Sequence, residues 1–136
     1  MARYVVEWVS RSREERDRAL PFAVIVHDDR GARLAPVDLP MDLVGRRVLL
    51  HPDSLRDHLD DWQDKITKPL HIYDRKSERY MPVASTDPQW LAAASQPTLD
   101  DNYYCGAIAE RDGDGDSVLA AVLAELQAQY GPQLVS

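Results

Sequence analysis

Histidine and aspartate lie close together in the sequence at two places where a strand is predicted to end. His27 precedes Asp28, and later in the chain His71, Tyr73 and Asp74 fall within the segment His-Ile-Tyr-Asp. A carboxylate beside an imidazole can orient the ring for work as a general base. If the two segments meet in the fold, these five residues form a catalytic or ligand-binding cluster. The alternative is that they are ordinary polar residues at strand ends.

A second candidate site is a line of aspartates in the segment 52–66. An apolar series in this segment has the steps of four, three and four residues that mark one face of a helix: Leu55, Leu59, Trp62 and Ile66. The acidic series has the same steps, shifted by two positions: Asp53, Asp57, Asp60 and Asp64, with Asp61 beside it. Two positions correspond to about 200° of rotation, so we expect the acids to face away from the core.

Three interpretations of this acidic stripe stay open. It can be a solvated face of an acidic protein, a docking surface for a basic protein partner, or a divalent-cation site at Asp57 and Asp61. We carry forward the docking surface, with four residues as the partner-binding set: Asp57, Asp60, Asp61 and Asp64.

No metal or cofactor site is expected from the motifs. The loop 112–116 places aspartate at three positions of a calcium loop, but Ser117 stands where the turn needs glycine and Leu123 where a bidentate glutamate belongs. The four histidines lack zinc spacing, and the single cysteine, Cys105, excludes motifs built on paired cysteines. No phosphate-binding loop or dinucleotide fingerprint occurs. Cys105 is predicted to be a buried small hydrophobe.

Composition indicates one ordinary globular domain, residues 1–136. The 16 basic residues against 23 acidic ones leave a net charge of −7, which disfavours nucleic acid or an anionic membrane as the main partner. The N-terminus does not resemble a signal peptide, and no apolar run approaches the length of a membrane span. We therefore expect a cytoplasmic protein.

The predicted elements alternate between strands and helices. Period-two alternation or β-branched runs predict strands, and apolar spacing with capping signals predicts helices. Strands are expected at 3–9, 22–28, 33–37, 46–50, 70–74, 79–84 and 103–109. Helices are expected at 10–20, 52–66, 87–95 and 117–130, the last ending at Gly131-Pro132, with residues 38–45 as a loop.

An internal similarity suggests a duplication. Residues 25–37 and 71–83 match without a gap at an offset of 46, with four identities in thirteen positions. The units 3–37 and 46–84 would each read strand-helix-strand-strand, followed by a helix-strand-helix. The predicted fold is α+β, a mostly antiparallel sheet with helices packed on one face. The alternative is a chance likeness between two hairpins with polar turns.

The function expected from these features is that of a non-catalytic binding or regulatory protein, which engages a basic protein partner or a small ligand. The alternative is a small cofactor-independent hydrolase or isomerase that uses a His/Asp pair near the hairpin ends. A homodimer is also expected, because helices on one face leave the other face of the sheet to be covered, and Tyr4, Trp8 and Tyr80 are large residues that can line that face.

Overall fold

Antiparallel strands form the centre of the protein, whose residues 1–135 are described by a computed structural model. The strands are β1 (Ala2–Val9), β2 (Leu20–Asp28), β3 (Gly31–Pro36), β4 (Leu70–Asp74), β5 (Arg79–Val83), β6 (Tyr103–Cys105) and β7 (Ala109–Arg111). The helices are α1 (Met41–Val48), α2 (Pro52–Thr67), α3 (Trp90–Ala94) and α4 (Gly115–Val135), with a 3-10 helix at Arg13–Arg18. The α+β class with antiparallel sheets is confirmed.

The main sheet has the order β3-β2-β1, and two short strands share the free edge of β1. β6 pairs with the C-terminal end of β1 and β7 with its N-terminal end. The predicted strand 103–109 is therefore two strands, interrupted where Gly106 N donates to Val6 O.

Helices cover both faces of this sheet instead of the single face that was predicted. On one face Val5 and Ile25 pack against Trp62 of α2 and Trp90 of α3. On the other, Val24 and Val26 pack against Val118 and Val122 of α4. The reason lies in β2, in which every residue from Leu20 to His27 is buried. A strand covered on both faces has such a continuous apolar run in place of alternation.

Double cover removes the argument that was given for a homodimer. Trp8 lies under α4, where its ring meets Tyr130 edge-on at 5.6 Å, and Tyr4 packs against the same core. Tyr80 alone of the three is well exposed, at 68%, and it belongs to β5.

The structure corrects the predictions for residues 38–50 and for the end of the last helix. The segment 46–50 lies largely in α1, not in a strand, because Val44 and Val48 bury one face of a helix there, and Leu49 then adopts φ 57° and ends it. The loop predicted at 38–45 includes the first residues of α1. α4 does not stop at Gly131-Pro132 but continues to Val135, since Leu134 packs against the core.

The two similar hairpins occupy different surroundings. β4 and β5 form a two-stranded sheet of their own, so the expectation of one shared sheet was wrong. Asp28 pairs with Gly31 across a two-residue turn, whereas Asp74 pairs with Arg79 across a four-residue turn. With 46–50 in a helix, the two units also differ in element order, and a common origin of the hairpins stays a prediction. No helix within residues 1–135 is long and apolar enough to span a membrane.

Candidate functional site

A pocket of about 310 Å³ opens beside the C-terminal end of β1. Its walls come from β1, α2, β6 and the segment that links α3 to β6. Only one buried carboxylate contributes to the described lining, that of Glu7 in β1. The site is therefore built at the junction of the central strand with the amphipathic helix.

Two donors from α2 hold the Glu7 carboxylate. His58 Nε2 lies 2.7 Å from Oε1, and Trp62 Nε1 donates to Oε2 at 2.9 Å. An ionised carboxylate only accepts, so His58 Nε2 is the donor in this bond, and the pair is also an ion pair when the imidazole is protonated. His58 and Trp62 lie four residues apart, one turn of the helix, and so both reach the same strand residue.

An aromatic stack fixes the imidazole. The rings of His58 and Tyr103 are nearly parallel, at 11°, with centroids 3.5 Å apart. Phe22 meets the Tyr103 ring edge-on at 5.4 Å. The His58 ring is thus positioned by packing as well as by its bond to Glu7.

Two further polar groups of the pocket are held protonated. Burial, then the negative charges of Glu7 and Asp100, raise the pKa of Tyr103, whose buried hydroxyl has no hydrogen-bond partner in residues 1–135. Burial and the charge of Glu7 likewise raise the pKa of Cys105 to about 12. A thiol with such a pKa does not supply the thiolate needed for nucleophilic attack at neutral pH.

Charge around the pocket is mostly negative. Glu7, Asp61 and Asp100 contribute three carboxylates, against the single ammonium of Lys65. The Lys65 Nζ lies over the Trp62 ring, 4.5 Å from its centroid. The lining therefore favours cations and proton donors over anions.

His27 and Asp28, the first half of the predicted cluster, lie on opposite faces of β2. His27 is buried, stacks on Trp90 at 5.9 Å, and has Nε2 2.8 Å from the carbonyl oxygen of Ser85. Asp28 points the other way and accepts from Gly115 N at the start of α4. Consecutive strand residues alternate in direction, so the two side chains bond to different partners. Both nevertheless contribute to the lining of a second pocket of about 340 Å³.

His71, Tyr73 and Asp74 lie on the separate β4–β5 hairpin. Asp74 accepts from Lys76 N and Ser77 Oγ within its own turn, and Tyr73 contacts Tyr80 across the strands. In the described part of the chain no hydrogen bond, ion pair or ring contact joins these residues to His27 or Asp28. The predicted five-residue cluster is not assembled in this structure.

The acidic stripe is exposed along α2, at Asp57, Asp60, Asp61 and Asp64. The Asp64 Oδ1 atom lies 4.0 Å from Lys68 Nζ. Arg56 forms an ion pair with Asp53, and the Lys65 ammonium lies over the Trp62 ring. Asp61 also lines the Glu7 pocket, so the stripe and the pocket share one residue.

The Glu7 site was missed at the sequence level, although one signal could have revealed it. Glu7 falls between Val5 and Val9 on the same side of β1, and a charge on an apolar strand face needs buried partners. The partners, His58 and Trp62, are more than fifty residues away in sequence. Only the docking of α2 onto the sheet identifies them.

Comparison of the chain with protein-family models, with curated proteins and with solved structures finds no match. Within residues 1–135 no three or more His, Cys, Asp or Glu side chains are arranged to hold a metal ion. Asp114 Oδ1 accepts from Ser117 N at 2.8 Å and so caps α4.

Proposed function

We propose that this protein is a non-catalytic binding protein that takes a small polar ligand in the Glu7 pocket. The observation that carries the proposal is a buried carboxylate that faces a cavity of about 310 Å³, a size at the lower end of small-molecule sites. A charge in such a place is costly unless something compensates it.

The hydrogen-bonding capacity of the site supports the same proposal. Each Glu7 oxygen has one protein donor, and a carboxylate oxygen can accept two bonds. A ligand that offers donors to Glu7 would use this remaining capacity.

The predicted alternative, a hydrolase or isomerase with a His/Asp pair at the hairpin ends, lacks such support. His27 and Asp28 bond to different parts of the molecule, and the Cys105 thiol stays protonated at neutral pH. A binding role requires no activated nucleophile, and it is therefore the function that we carry forward.

We further propose the acidic stripe as a docking surface for a basic protein partner, in the cytoplasm. Exposed carboxylates on one helix face steer a basic surface into encounter. A homodimer is retained as a proposal on different grounds: the exposed rings of Tyr73 and Tyr80 on the β4–β5 hairpin. Capture of partners from the native host by the wild type, but not by the triple variant Asp57→Asn, Asp60→Asn, Asp64→Asn, would support the docking surface.

Screening of small polar fragments by ligand-observed NMR tests the pocket. Gln96 lines the pocket and Leu99, three residues later, is 95% exposed and lies outside the lining. We expect fragments that bind the wild type to be lost with Gln96→Trp, which fills the pocket, and retained with the matched control Leu99→Trp. Absence of any binding fragment, or binding that survives Gln96→Trp, would contradict the proposal.

A further inference from the structure

We infer that the Glu7 pocket selects a small organic cation, an amine or amidine attached to an apolar body. This inference rests on the proposed ligand-binding function and specifies its ligand class. It follows from three observations: the state of the Glu7 carboxylate, the places where the protein's own cations lie, and the character of the remaining wall.

The first observation is that Glu7 has no lysine or arginine in ion-pair contact within residues 1–135. Its bonds come from an imidazole and an indole of α2. Buried carboxylates are ordinarily paired with a cation, because the desolvation of an unpaired charge is expensive. A ligand ammonium that bonds to Glu7 would place a full positive charge beside this buried carboxylate, whose side chain is 6% exposed.

The second observation is that two cationic side chains of the protein lie over aromatic rings of the pocket. The Lys65 ammonium lies 4.5 Å from the centroid of Trp62, and the Arg16 guanidinium lies 4.3 Å from that of Tyr104. Both rings line the pocket. A π-face attracts cations through its quadrupole, and nearby carboxylates strengthen that attraction. The wall is thus suited to positive charge, but neither protein cation bonds to Glu7.

The third observation is the composition of the rest of the lining. An anion would meet the carboxylates of Glu7, Asp61 and Asp100, with Lys65 as the only ammonium. A neutral molecule would leave the imidazole of His58 as the one group in ion-pair contact with Glu7 within residues 1–135, whereas a cation would add a full positive charge. The carbon surfaces of Ala94 and Pro97 complete an apolar wall that an alkyl or aryl body can cover. A cation with such a body matches every part of the pocket.

Three probes of nearly equal size separate charge from shape: benzylamine, benzyl alcohol and benzoate, each titrated into the wild-type protein by calorimetry at low ionic strength. We expect benzylamine to bind at least about tenfold more tightly than the other two, as a charge-assisted hydrogen bond exceeds a neutral one. Added salt should weaken the binding of benzylamine and leave the binding of benzyl alcohol unchanged.

A matched pair of variants locates the effect without disturbing the core. Asp61→Asn removes a carboxylate of the pocket lining. It should weaken the binding of benzylamine severalfold and leave the affinity for benzyl alcohol unchanged. Asp112→Asn removes an equally exposed charge just beyond β7, which pairs with the opposite end of β1, and should change neither probe. This comparison does not depend on a variant of the buried Glu7.

The outcomes distinguish the two proposals. Tighter binding of benzyl alcohol or benzoate, in a manner lost with Gln96→Trp, would overturn the cation class and leave the ligand-binding function standing. Amine binding that Asp61→Asn and Asp112→Asn weaken equally would also overturn it, because the effect would then be one of net charge. If none of the probes binds at millimolar concentration and the fragment screen also fails, both proposals fall.

Discussion

Two buried carboxylates lie in neighbouring strands of the main sheet, and their hydrogen-bond partners differ. The side chain of Asp28 in β2 is 8% exposed and that of Glu7 in β1 is 6% exposed. Asp28 accepts from Arg33 Nη2 and from the N–H groups of Arg30 and Gly115. Glu7 accepts from His58 and Trp62 and faces a pocket.

The difference agrees with the two roles that we propose, a structural one for Asp28 and a ligand-binding one for Glu7. Burial tends to raise the pKa of Asp28, but the hydrogen bonds from Arg33, Arg30 and Gly115 outweigh it and lower the pKa below its ordinary value. Arg33 also forms an ion pair with Asp116, so this cluster connects the β2–β3 hairpin to the start of α4. Asp28 is charge-compensated by arginine. Glu7 has no lysine or arginine contact in residues 1–135 and pairs with His58, and we propose that a ligand cation completes this pairing.

The largest expected effect concerns Cys105, which senses the charge of Glu7. With a thiol pKa of about 12, its thiolate fraction at pH 8 is about a thousandfold lower than that of an unfolded chain. Alkylation by iodoacetamide should therefore rise about tenfold for each pH unit from 8 to 10 without levelling. A rate that levels near pH 9 would mean that neither burial nor Glu7 acts on the thiol as described.

Removal of the Asp28 carboxylate should have the largest effect on stability. Asp28→Ala leaves Gly115 N without its acceptor and Arg33 with Asp116 alone, and we expect the free energy of unfolding to fall by about 2–4 kcal/mol. Urea denaturation followed by circular dichroism measures this. A fall of less than about 0.5 kcal/mol would show that the cluster contributes little to stability. Asp28 would then not have the structural role that the comparison with Glu7 assigns to it.

Acid should weaken the same cluster. A carboxyl group whose pKa is lower in the folded than in the unfolded protein stabilises the fold above its unfolded pKa, and this contribution is lost as the pH falls through the folded value. For Asp28 the loss falls below about pH 4. The stability of Asp28→Asn should accordingly decline less between pH 5 and pH 2.5 than that of the wild type. Parallel declines of the two proteins would contradict the assignment.

The smallest effect is expected on the exposed stripe, where carboxylates are neither buried nor paired with a ligand group. The triple variant Asp57→Asn, Asp60→Asn, Asp64→Asn relieves like-charge repulsion along α2 and should hold or raise stability by about 0.5–1 kcal/mol. Thermal unfolding gives the sign. A melting temperature several degrees lower would instead mean that these acids have structural partners.

Local patterns predicted much of the fold. α2 was predicted nearly to its ends because its apolar stripe and its start at Pro52 are encoded within one segment. α1 was missed since Pro40 provides no side-chain cap and the run Val48-Leu49-Leu50 reads equally well as a strand. Helix formation there depends on packing, which no local pattern records.

The candidate site was predicted less well, for a related reason. The His27-Asp28 hypothesis rested on adjacency in sequence, but adjacency along a strand places side chains on opposite faces. Glu7, His58 and Trp62 are brought together by the contact between β1 and α2 across more than fifty residues. A charge between two valines on one face of a predicted strand was the local sign of that contact.

The contrast between the two carboxylates is tested most directly by the dissociation constant of benzylamine, measured for the wild type, Glu7→Gln and Asp28→Asn. Circular dichroism would first establish that each variant is folded. We predict that Glu7→Gln weakens benzylamine at least about tenfold and leaves benzyl alcohol within a factor of two, while Asp28→Asn, although less stable, binds both probes as the wild type does. A folded Glu7→Gln protein that binds benzylamine with unchanged affinity would contradict the account.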